Sequence, residues 1–216
     1  MTSAGGVDSL SKRSLAEVDA DALAGQIEAW GFNPAHAPAV LRRFYAAQDA
    51  GGSSARRLPQ GLRERLDEAF APACSTPVAR QLAEDGTAKL LLRLGDGRTV
   101  ESVLMPDFRP DRAAGCVSSQ VGCAMGCDFC ATTKTGFERN LTAGEIVEQF
   151  LALRREAVAA GRRLQTLVFM GMGEPMLNLE AVLTAVRRIA DNALGGLGWR
   201  QITVSTVGIV PGIDAL

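Results

Sequence analysis

The chain has 216 residues, of which 47% are hydrophobic, 22% charged and 5% aromatic, and its formal net charge is −1. This apolar content is too high for a disordered chain, and the charge excludes a uniformly basic nucleic-acid-binding protein but not a local basic patch. No apolar run reaches the roughly 18 to 20 residues of a membrane helix, and the polar N-terminus does not resemble a signal peptide. We therefore expect a protein of the cytoplasm that has no membrane partner.

The pattern of residues predicts an α/β protein with a helical N-terminal part. We expect a flexible tail over residues 1–13 and a small helical domain over residues 14–85. A hairpin and a connection over residues 86–112 follow, and residues 113–216 are expected to form the N-terminal part of a barrel. The composition changes near residue 86, where helical spacing of the apolar residues gives way to extended runs.

Three helices are predicted in the N-terminal domain from their start and stop signals. Ser14 is expected to cap a first helix that ends at Gly31. A second helix is expected over residues 38–50, and Pro59 opens a third. Each carries apolar residues at helical spacing, and together the three helices are expected to form a small helical unit.

Two extended runs, over residues 89–94 and 98–105, predict a β-hairpin because Gly95, Asp96 and Gly97 lie between them. This pair is the first extended structure that the sequence predicts. The polar segment that follows contains prolines, and we expect it to connect the hairpin to the next strand.

From about residue 113 the predicted order is strand, cysteine loop, helix, strand, helix, strand. Thr142 begins the first helix with a capping box, the apolar run 164–170 is the second strand, Asn178 begins the second helix, and residues 201–206 form the last strand. This alternation predicts a parallel sheet covered by helices. Because a complete (β/α) barrel takes about eight strands, we expect only its first half here and a chain that is a piece of a longer protein.

Four of the five cysteines fall within fifteen consecutive residues, which points to metal binding rather than to disulfides. Cys123, Cys127 and Cys130 have the spacing C-x3-C-x2-C. Three thiolates on one tight loop can hold three irons of a four-iron cluster and leave the fourth iron open to a substrate. The alternative is a structural zinc site with Cys116 as the fourth thiolate, although zinc sites usually have two separated cysteine pairs.

A Gly-rich turn over residues 171–175 directly follows the apolar strand 164–170. In open parallel sheets, ligands bind beyond the carboxyl ends of the strands. Glu174 in this turn is placed to accept hydrogen bonds from a ligand ammonium group, and Ser205 ends the next strand at the same rim. The turn, Ser205 and the cysteine loop are therefore expected to face one site.

The stretch from Gln120 to Gln149, QVGCAMGCDFCATTKTGFERNLTAGEIVEQ, resembles the signature of the RlmN/Cfr family of radical S-adenosylmethionine RNA methyltransferases. The resemblance includes VESVLMP, CVSSQVGC, VFMGMGEPMLN and ITVSTVGIVPGI, and it extends from about Ser14 to the end. The cysteine spacing alone indicates the radical S-adenosylmethionine superfamily. The seven-residue step from Cys116 to Cys123 and the ATTKTGFERNLT segment are specific to the family.

The resemblance implies two cofactors, a 4Fe-4S cluster and S-adenosylmethionine. Cys123, Cys127 and Cys130 match the cluster ligands. Gly173 and Glu174 match residues that contact the amino group of S-adenosylmethionine, whose amino and carboxylate groups chelate the open iron. Ser205 matches a residue near its ribose. Reductive cleavage of S-adenosylmethionine in the family gives a 5′-deoxyadenosyl radical, so an electron donor such as flavodoxin or ferredoxin is an implied partner.

The resemblance also implies the reaction. The family methylates an adenine ring carbon through a methyl group carried on a cysteine near the C-terminus, and the reaction passes through a covalent RNA–protein adduct. Cys116 matches the cysteine that resolves the adduct as a disulfide, and Glu101 matches the proton acceptor. None of the five cysteines matches the methyl carrier, so we expect that residue beyond the end of the chain and expect these 216 residues alone not to complete methyl transfer.

Three hypotheses for the function remain. The first is methylation at carbon 2 of an adenine in 23S ribosomal RNA and in transfer RNA. The second is methylation at carbon 8, as in the Cfr branch. The third is a zinc-stabilised RNA-binding module without catalysis. An excess of arginines between Arg42 and Arg65 is consistent with phosphate contacts in all three. These arginines are Arg42, Arg43, Arg56, Arg57, Arg63 and Arg65.

Two further residues have a prediction of their own. His36, the only histidine, lies in a Pro- and Ala-containing segment, and we expect it at an exposed position or a helix end rather than in catalysis. Cys74 matches no functional position of the family and is given no role.

Overall fold

The computed structural model describes residues 12–46 and 58–215. In chain order the strands are β1 (Arg13–Ser14), β2 (Phe70–Ala71), β3 (Ser75–Leu82), β4 (Ala88–Leu94), β5 (Thr99–Pro106), β6 (Arg112–Cys116), β7 (Gln120–Gly122), β8 (Phe137–Asn140), β9 (Arg163–Phe169) and β10 (Ile202–Val204). The α-helices are α1 (Ala20–Ala29), α2 (Ala37–Ala46), α3 (Gln60–Ala69), α4 (Ala143–Ala159), α5 (Leu179–Ala190) and α6 (Val210–Asp214).

Six strands form one mixed sheet in the order β10-β9-β6-β5-β4-β3. Its parallel half consists of β6, β9 and β10, with α4 and α5 in the connections, as the predicted alternation requires. Its antiparallel half consists of β5, β4 and β3. Because β5 pairs with β6, the predicted hairpin continues the parallel sheet rather than standing apart from it.

The two faces of this sheet have different environments. On one face, alternate side chains of β4 and β5 such as Leu92, Val100 and Leu104 are buried in a core that includes Phe150 of α4. The side chains between them point to the opposite face, since successive residues of a strand alternate between faces, and they are half-buried or, for Arg93, exposed. The face away from the helices is therefore accessible to solvent.

The N-terminal helices have a second core, which contains Leu23, Ile27, Leu41 and Leu62. The predicted first helix is wrong at its start, because Ser14 caps a short 3-10 helix instead. The chain is then extended at Val18, and α1 begins after its own cap, Asp19. The third predicted helix is confirmed, with Pro59 immediately before α3.

Strand β3 is a correction to the helical segment predicted over residues 14–85. It forms the edge of the sheet, and after Ser75 every one of its residues is exposed. Pro77 lies at an irregularity in its pairing with β4, as is common on edge strands. A strand of this kind has neither an apolar face nor strict alternation, so its sequence does not differ from that of an exposed loop.

Several predictions fall wholly or partly outside the described residues. These are most of the tail over 1–13, the end of the second helix, the loop at 51–54, and Arg56 and Arg57. Within the ranges that are described, no helix is long and apolar enough to cross a membrane.

Candidate active site

The cysteine loop is closed at its base by the short antiparallel pair of β7 and β8, which the sequence did not predict. The backbone N–H of Cys123 donates to the carbonyl oxygen of Gly136 at 3.0 Å. Gly122, with φ of +75°, precedes it, and a Cβ atom at this position would lie 1.8 Å from the same oxygen. Only glycine therefore allows the two ends of the loop to approach this closely.

The three motif cysteines line one cavity of about 370 Å³ at the carboxyl ends of the parallel strands. Cys123 is buried, and Cys127 and Cys130 are half-buried. A hydrogen bond from the backbone of Thr132 lowers the pKa of Cys130, which favours the thiolate form that binds metal. Among the described residues, no three His, Cys, Asp or Glu side chains are already gathered as a metal-binding group. Three thiols on one loop nevertheless match the donor set of a 4Fe-4S cluster that has one open iron.

The Gly-rich turn forms the second wall of this cavity. Gly171, Gly173, Glu174 and Pro175 all line it. Glu174 is only 3% exposed, and its two carboxylate oxygens accept the backbone N–H groups of Met176 and Val207 at 3.0 and 2.9 Å. The carboxylate therefore faces the cavity in a fixed position and joins the turn to the segment after β10.

The third wall is the segment after β10. Ser205, Thr206 and Val207 line the cavity. Ser205 lies just beyond the strand rather than within it, because β10 ends at Val204. The structure thus brings together six of the eight predicted site residues: Cys123, Cys127, Cys130, Gly173, Glu174 and Ser205.

Cys116 and Glu101 do not line the cavity but lie on the sheet face away from the helices, where Cys116 is buried and Glu101 is partly exposed. Cys116, at the end of β6, pairs with Val103 and Val168 of the neighbouring strands. Burial raises the pKa of its thiol, and a hydrogen bond from the backbone of Met170, a cavity residue, partly offsets this effect. Because Cys116 is not part of the cavity wall, a four-thiolate zinc site with this cysteine is disfavoured.

Glu101 lies on β5, two residues before the partner of Cys116. Its Oε1 is 2.9 Å from Nζ of Lys89 on β4, and about two fifths of each side chain is exposed. The sequence did not single out Lys89, because neighbours across antiparallel strands become apparent only once the register is known.

A second feature that the sequence did not predict is an ion-pair network below the cysteine loop. Arg139 of β8 donates to both carboxylate oxygens of Glu145 at 2.8 Å and to Asp96 at 2.7 Å. Arg98 pairs with Glu138 and Asp96. The network joins the hairpin turn, β8 and the start of α4. Hydrogen bonds from Arg139 contribute most to lowering the pKa of Asp96 to about 2.

Of the residues that the structure describes, the arginines, the histidine and the fifth cysteine considered in the sequence analysis do not line the cavity. Arg42, Arg43, Arg63 and Arg65 are exposed on α2 and α3, with Arg65 3.3 Å from Glu68. His36 ends a 3-10 helix, as predicted. The backbone N–H of Cys74 donates to Glu148, and burial is the main cause that raises the pKa of the Cys74 thiol to about 11.

Comparison with known proteins shows which family this chain is similar to. Residues 117–216 match the model of the radical SAM superfamily. A relative from Opitutus terrae named a probable dual-specificity RNA methyltransferase RlmN 1 is 70% identical, over 94% of this chain. The dual-specificity RNA methyltransferase RlmN of Alkalilimnicola ehrlichii is 39% identical, also over 94% of this chain. The crystal structure of a radical SAM methyltransferase from Sphaerobacter thermophilus superposes with a TM-score of 0.84 at 42% identity, again over 94% of this chain.

The chain belongs to the radical SAM superfamily, in its RlmN-type branch. The resemblance seen in the sequence is thereby confirmed, together with the α/β fold class. The chain spans somewhat more than half of these relatives, covering 57% of the Opitutus protein, 56% of the Alkalilimnicola protein and 59% of the Sphaerobacter chain.

Proposed function

We propose that this chain provides the cofactor-binding half of a radical S-adenosylmethionine RNA methyltransferase that methylates carbon 2 of an adenine in 23S ribosomal RNA and in transfer RNA. The observation that carries the proposal is the single cavity at the carboxyl ends of β9 and β10. Three cysteines from one loop, a buried carboxylate from a second and a serine from a third line it together.

The proposed cofactors are a 4Fe-4S cluster and S-adenosylmethionine. Cys123, Cys127 and Cys130 would hold three irons, and the fourth would remain open to S-adenosylmethionine. When bound, the reduced cluster supplies the electron that cleaves the sulfonium compound. Glu174 and Gly173 line the cavity opposite the cysteine loop and would bind the amino group of S-adenosylmethionine, while Ser205 lies where a ribose would be contacted.

Glu101 and Cys116 are proposed to act on the RNA adduct rather than on the cofactor. Both lie on the sheet face away from the helices, where Cys116 is buried and Glu101 is partly exposed. Glu101 would accept the proton from the adenine ring carbon. The Cys116 thiolate would attack the sulfur of the methyl-carrying cysteine, so that the S–S bond forms as the bond from that sulfur to the RNA-bound methylene breaks. The methylene carbon would take up a proton and become the methyl group of the released RNA. An electron donor such as flavodoxin or ferredoxin completes the proposed set of partners.

The test is anaerobic reconstitution of the complete gene product with iron and sulfide, followed by incubation with S-adenosylmethionine, reduced flavodoxin and 23S ribosomal RNA or transfer RNA. Mass spectrometry of the digested RNA is expected to detect 2-methyladenosine. Detection of 8-methyladenosine instead would assign the protein to the carbon-8 branch. One bound zinc and no iron would contradict the proposal and support the RNA-binding module.

A matched pair of cysteine variants makes this test specific. Cys127→Ala removes a thiolate of the cavity, and we expect it to lose both the cluster and methylation. Cys74→Ala removes a thiol that does not line the cavity, and we expect it to retain both. Equal losses in the two variants would show that general damage to the protein explains the effect.

A further inference from the structure

Gln120 of β7 lies at the crossing of the two loops that form the cavity. Its side chain is 1% exposed. Its Oε1 accepts the backbone N–H of Glu174 at 2.9 Å, and its Nε2 donates to Oδ1 of Asn140 on β8 at 2.7 Å. One amide thus contacts the turn after β9 and also the strand that closes the cysteine loop. The planar amide carries its acceptor and its donor on two separate atoms, so one side chain can bond to both loops at once.

The aliphatic part of the Gln120 side chain, its Cβ and Cγ atoms, packs directly against the turn after β9. Gly173 has φ of +97°, and a Cβ atom there would lie 2.5 Å from Cβ and 2.6 Å from Cγ of Gln120. The backbone N–H of Gln120 donates to the carbonyl oxygen of Met172 at 3.1 Å. The turn therefore lies directly on Gln120 over three consecutive residues, and its distance from the cysteine loop depends on this side chain.

The nearby amide of Asn178 is a useful comparison, because it makes buried hydrogen bonds to residues that do not line the cavity. Asn178 is also buried, and its Nδ2 donates to the carbonyl oxygens of Ser119 and Leu141 at 2.8 Å each. It joins the ends of β7 and β8 to the segment before α5. Neither Asn178 nor its two partners line the cavity. Gln120, in contrast, hydrogen-bonds directly to the backbone of Glu174.

We propose that Gln120 is a positioning residue for the binding of S-adenosylmethionine. It holds the backbone of Gly173 and Glu174 at the distance from the cysteine loop at which one ligand contacts both. The inference rests on the proposed function, which assigns the amino group of S-adenosylmethionine to these two residues. Loss of the Gln120 amide is expected to weaken this binding while the thiolates, which belong to the other loop, still hold the cluster.

The test compares three variants of the complete gene product, each reconstituted with iron and sulfide under anaerobic conditions. Gln120→Met keeps the length of the side chain and removes both hydrogen bonds. Gln120→Asn keeps the amide but shortens it by one methylene, and it serves as the second variant where Gln120→Met does not fold. Asn178→Leu is the control, because it also removes two buried hydrogen bonds. Iron content, thermal midpoint and the dissociation constant of S-adenosylmethionine by calorimetry are measured for each.

We expect Gln120→Met to raise the dissociation constant by about tenfold or more, the scale of one lost hydrogen bond to a buried group, with the iron content unchanged. Gln120→Asn is expected to change it in the same direction. Asn178→Leu is expected to lower the thermal midpoint with less than a threefold change in affinity. Equal affinity in the parent and the Gln120 variants, or an equal loss in Asn178→Leu, would overturn the inference. Failure of the reconstituted parent itself to bind S-adenosylmethionine would instead contradict the proposed function.

Discussion

The two loops that face each other across the cavity differ in how far the protein itself fixes them. In the turn after β9, the Glu174 carboxylate accepts two backbone hydrogen bonds and is 3% exposed. In the cysteine loop, Phe129 is 94% exposed, and the thiolates are not gathered as a metal-binding group in the described part of the chain. The turn is therefore held by buried hydrogen bonds, whereas the cysteine loop has an exposed tip and partly exposed thiols.

This difference separates two roles within one site. A wall that is already fixed binds a ligand without paying the entropy of ordering itself. A loop whose thiolates converge only around a metal couples its local structure to metal binding, as small metal-binding segments commonly do. We therefore expect substitutions in the cysteine loop to affect metal content and substitutions in the turn to affect stability.

Cys127→Ala is expected to give the largest effect, a loss of bound iron with almost no change in the stability of the metal-free protein. Cys127 is half-buried on the loop, so its loss is expected to change the free energy of unfolding of the metal-free protein by no more than about 0.5 kcal/mol. Iron bound after reconstitution is expected to fall from about four atoms per chain to less than one. Iron analysis and urea unfolding of the same preparation measure the two quantities. Retention of the full iron content in this variant would contradict the assigned ligands.

A pair of glycine variants separates the base of the cysteine loop from its tip. Gly122→Ala places a Cβ atom 1.8 Å from a backbone oxygen, at positive φ, and is expected to cost about 3 kcal/mol or more. Gly126 has φ of +71° but nothing within 4 Å of an added Cβ, so Gly126→Ala is expected to cost only about 1 to 2 kcal/mol. Urea unfolding of the metal-free variants measures both. Equal costs would show that the base is no more rigid than the tip.

The substitution Glu174→Gln tests how much the carboxylate hydrogen bonds stabilise the turn after β9. In Glu174→Gln, one of the two N–H donors that now bond to the carboxylate meets an amide NH2 group and is left without an acceptor. A buried unsatisfied donor costs about 1–3 kcal/mol, so the free energy of unfolding should fall by this amount. Glu180→Gln, on an exposed position of α5, is the control and should change stability by less than about 0.5 kcal/mol. A neutral Glu174→Gln would mean that solvent reaches the turn.

Much of the fold and of the cavity followed from local signals in the sequence. The apolar run before the Gly-rich turn predicted β9, and the capping box of Thr142 and Glu145 is observed at the start of α4. The cysteine spacing and the turn were placed at one rim because the carboxyl ends of parallel strands meet there. That rule brought together residues separated by some fifty positions in the chain, such as Cys123 and Glu174.

The features that the sequence did not predict all depend on long-range register. Strand β3 has exposed residues almost throughout, so it lacks the pattern that marks a strand. Lys89 and Glu101 meet only because β4 and β5 pair in one particular register. Gln120 appears in the sequence as one more polar residue, and its role depends on a hydrogen bond to a backbone 54 positions away. Backbone contacts of this kind leave no residue-specific pattern.

The smallest expected effect comes from the ion-pair network below the cysteine loop, and it is a dependence of the protein's stability on pH. Hydrogen bonds from Arg139 contribute most to holding the pKa of Asp96 at about 2, below its ordinary value of 3.8. The carboxylate is thus easier to ionise in the folded protein, so its contribution to stability is present above about pH 4 and is lost as the pH falls towards 2. Because Asp96 is partly exposed, we expect the contribution to stay below about 1 kcal/mol.

Urea unfolding at pH 6 and at pH 2.5 compares the parent with Asp96→Asn. At pH 6 the parent is expected to be more stable than Asp96→Asn. Most of this difference between the two proteins should disappear at pH 2.5, where the Asp96 carboxyl group of the unfolded parent is largely protonated. Arg139→Gln removes the main partner of Asp96 and should reduce the effect of Asp96→Asn at pH 6 to the smaller part that Arg98 contributes. A difference between parent and Asp96→Asn that is equally large at both pH values would mean that shape rather than charge holds the hairpin turn against β8. In that case packing, and not the ion-pair network, would fix the base of the loop.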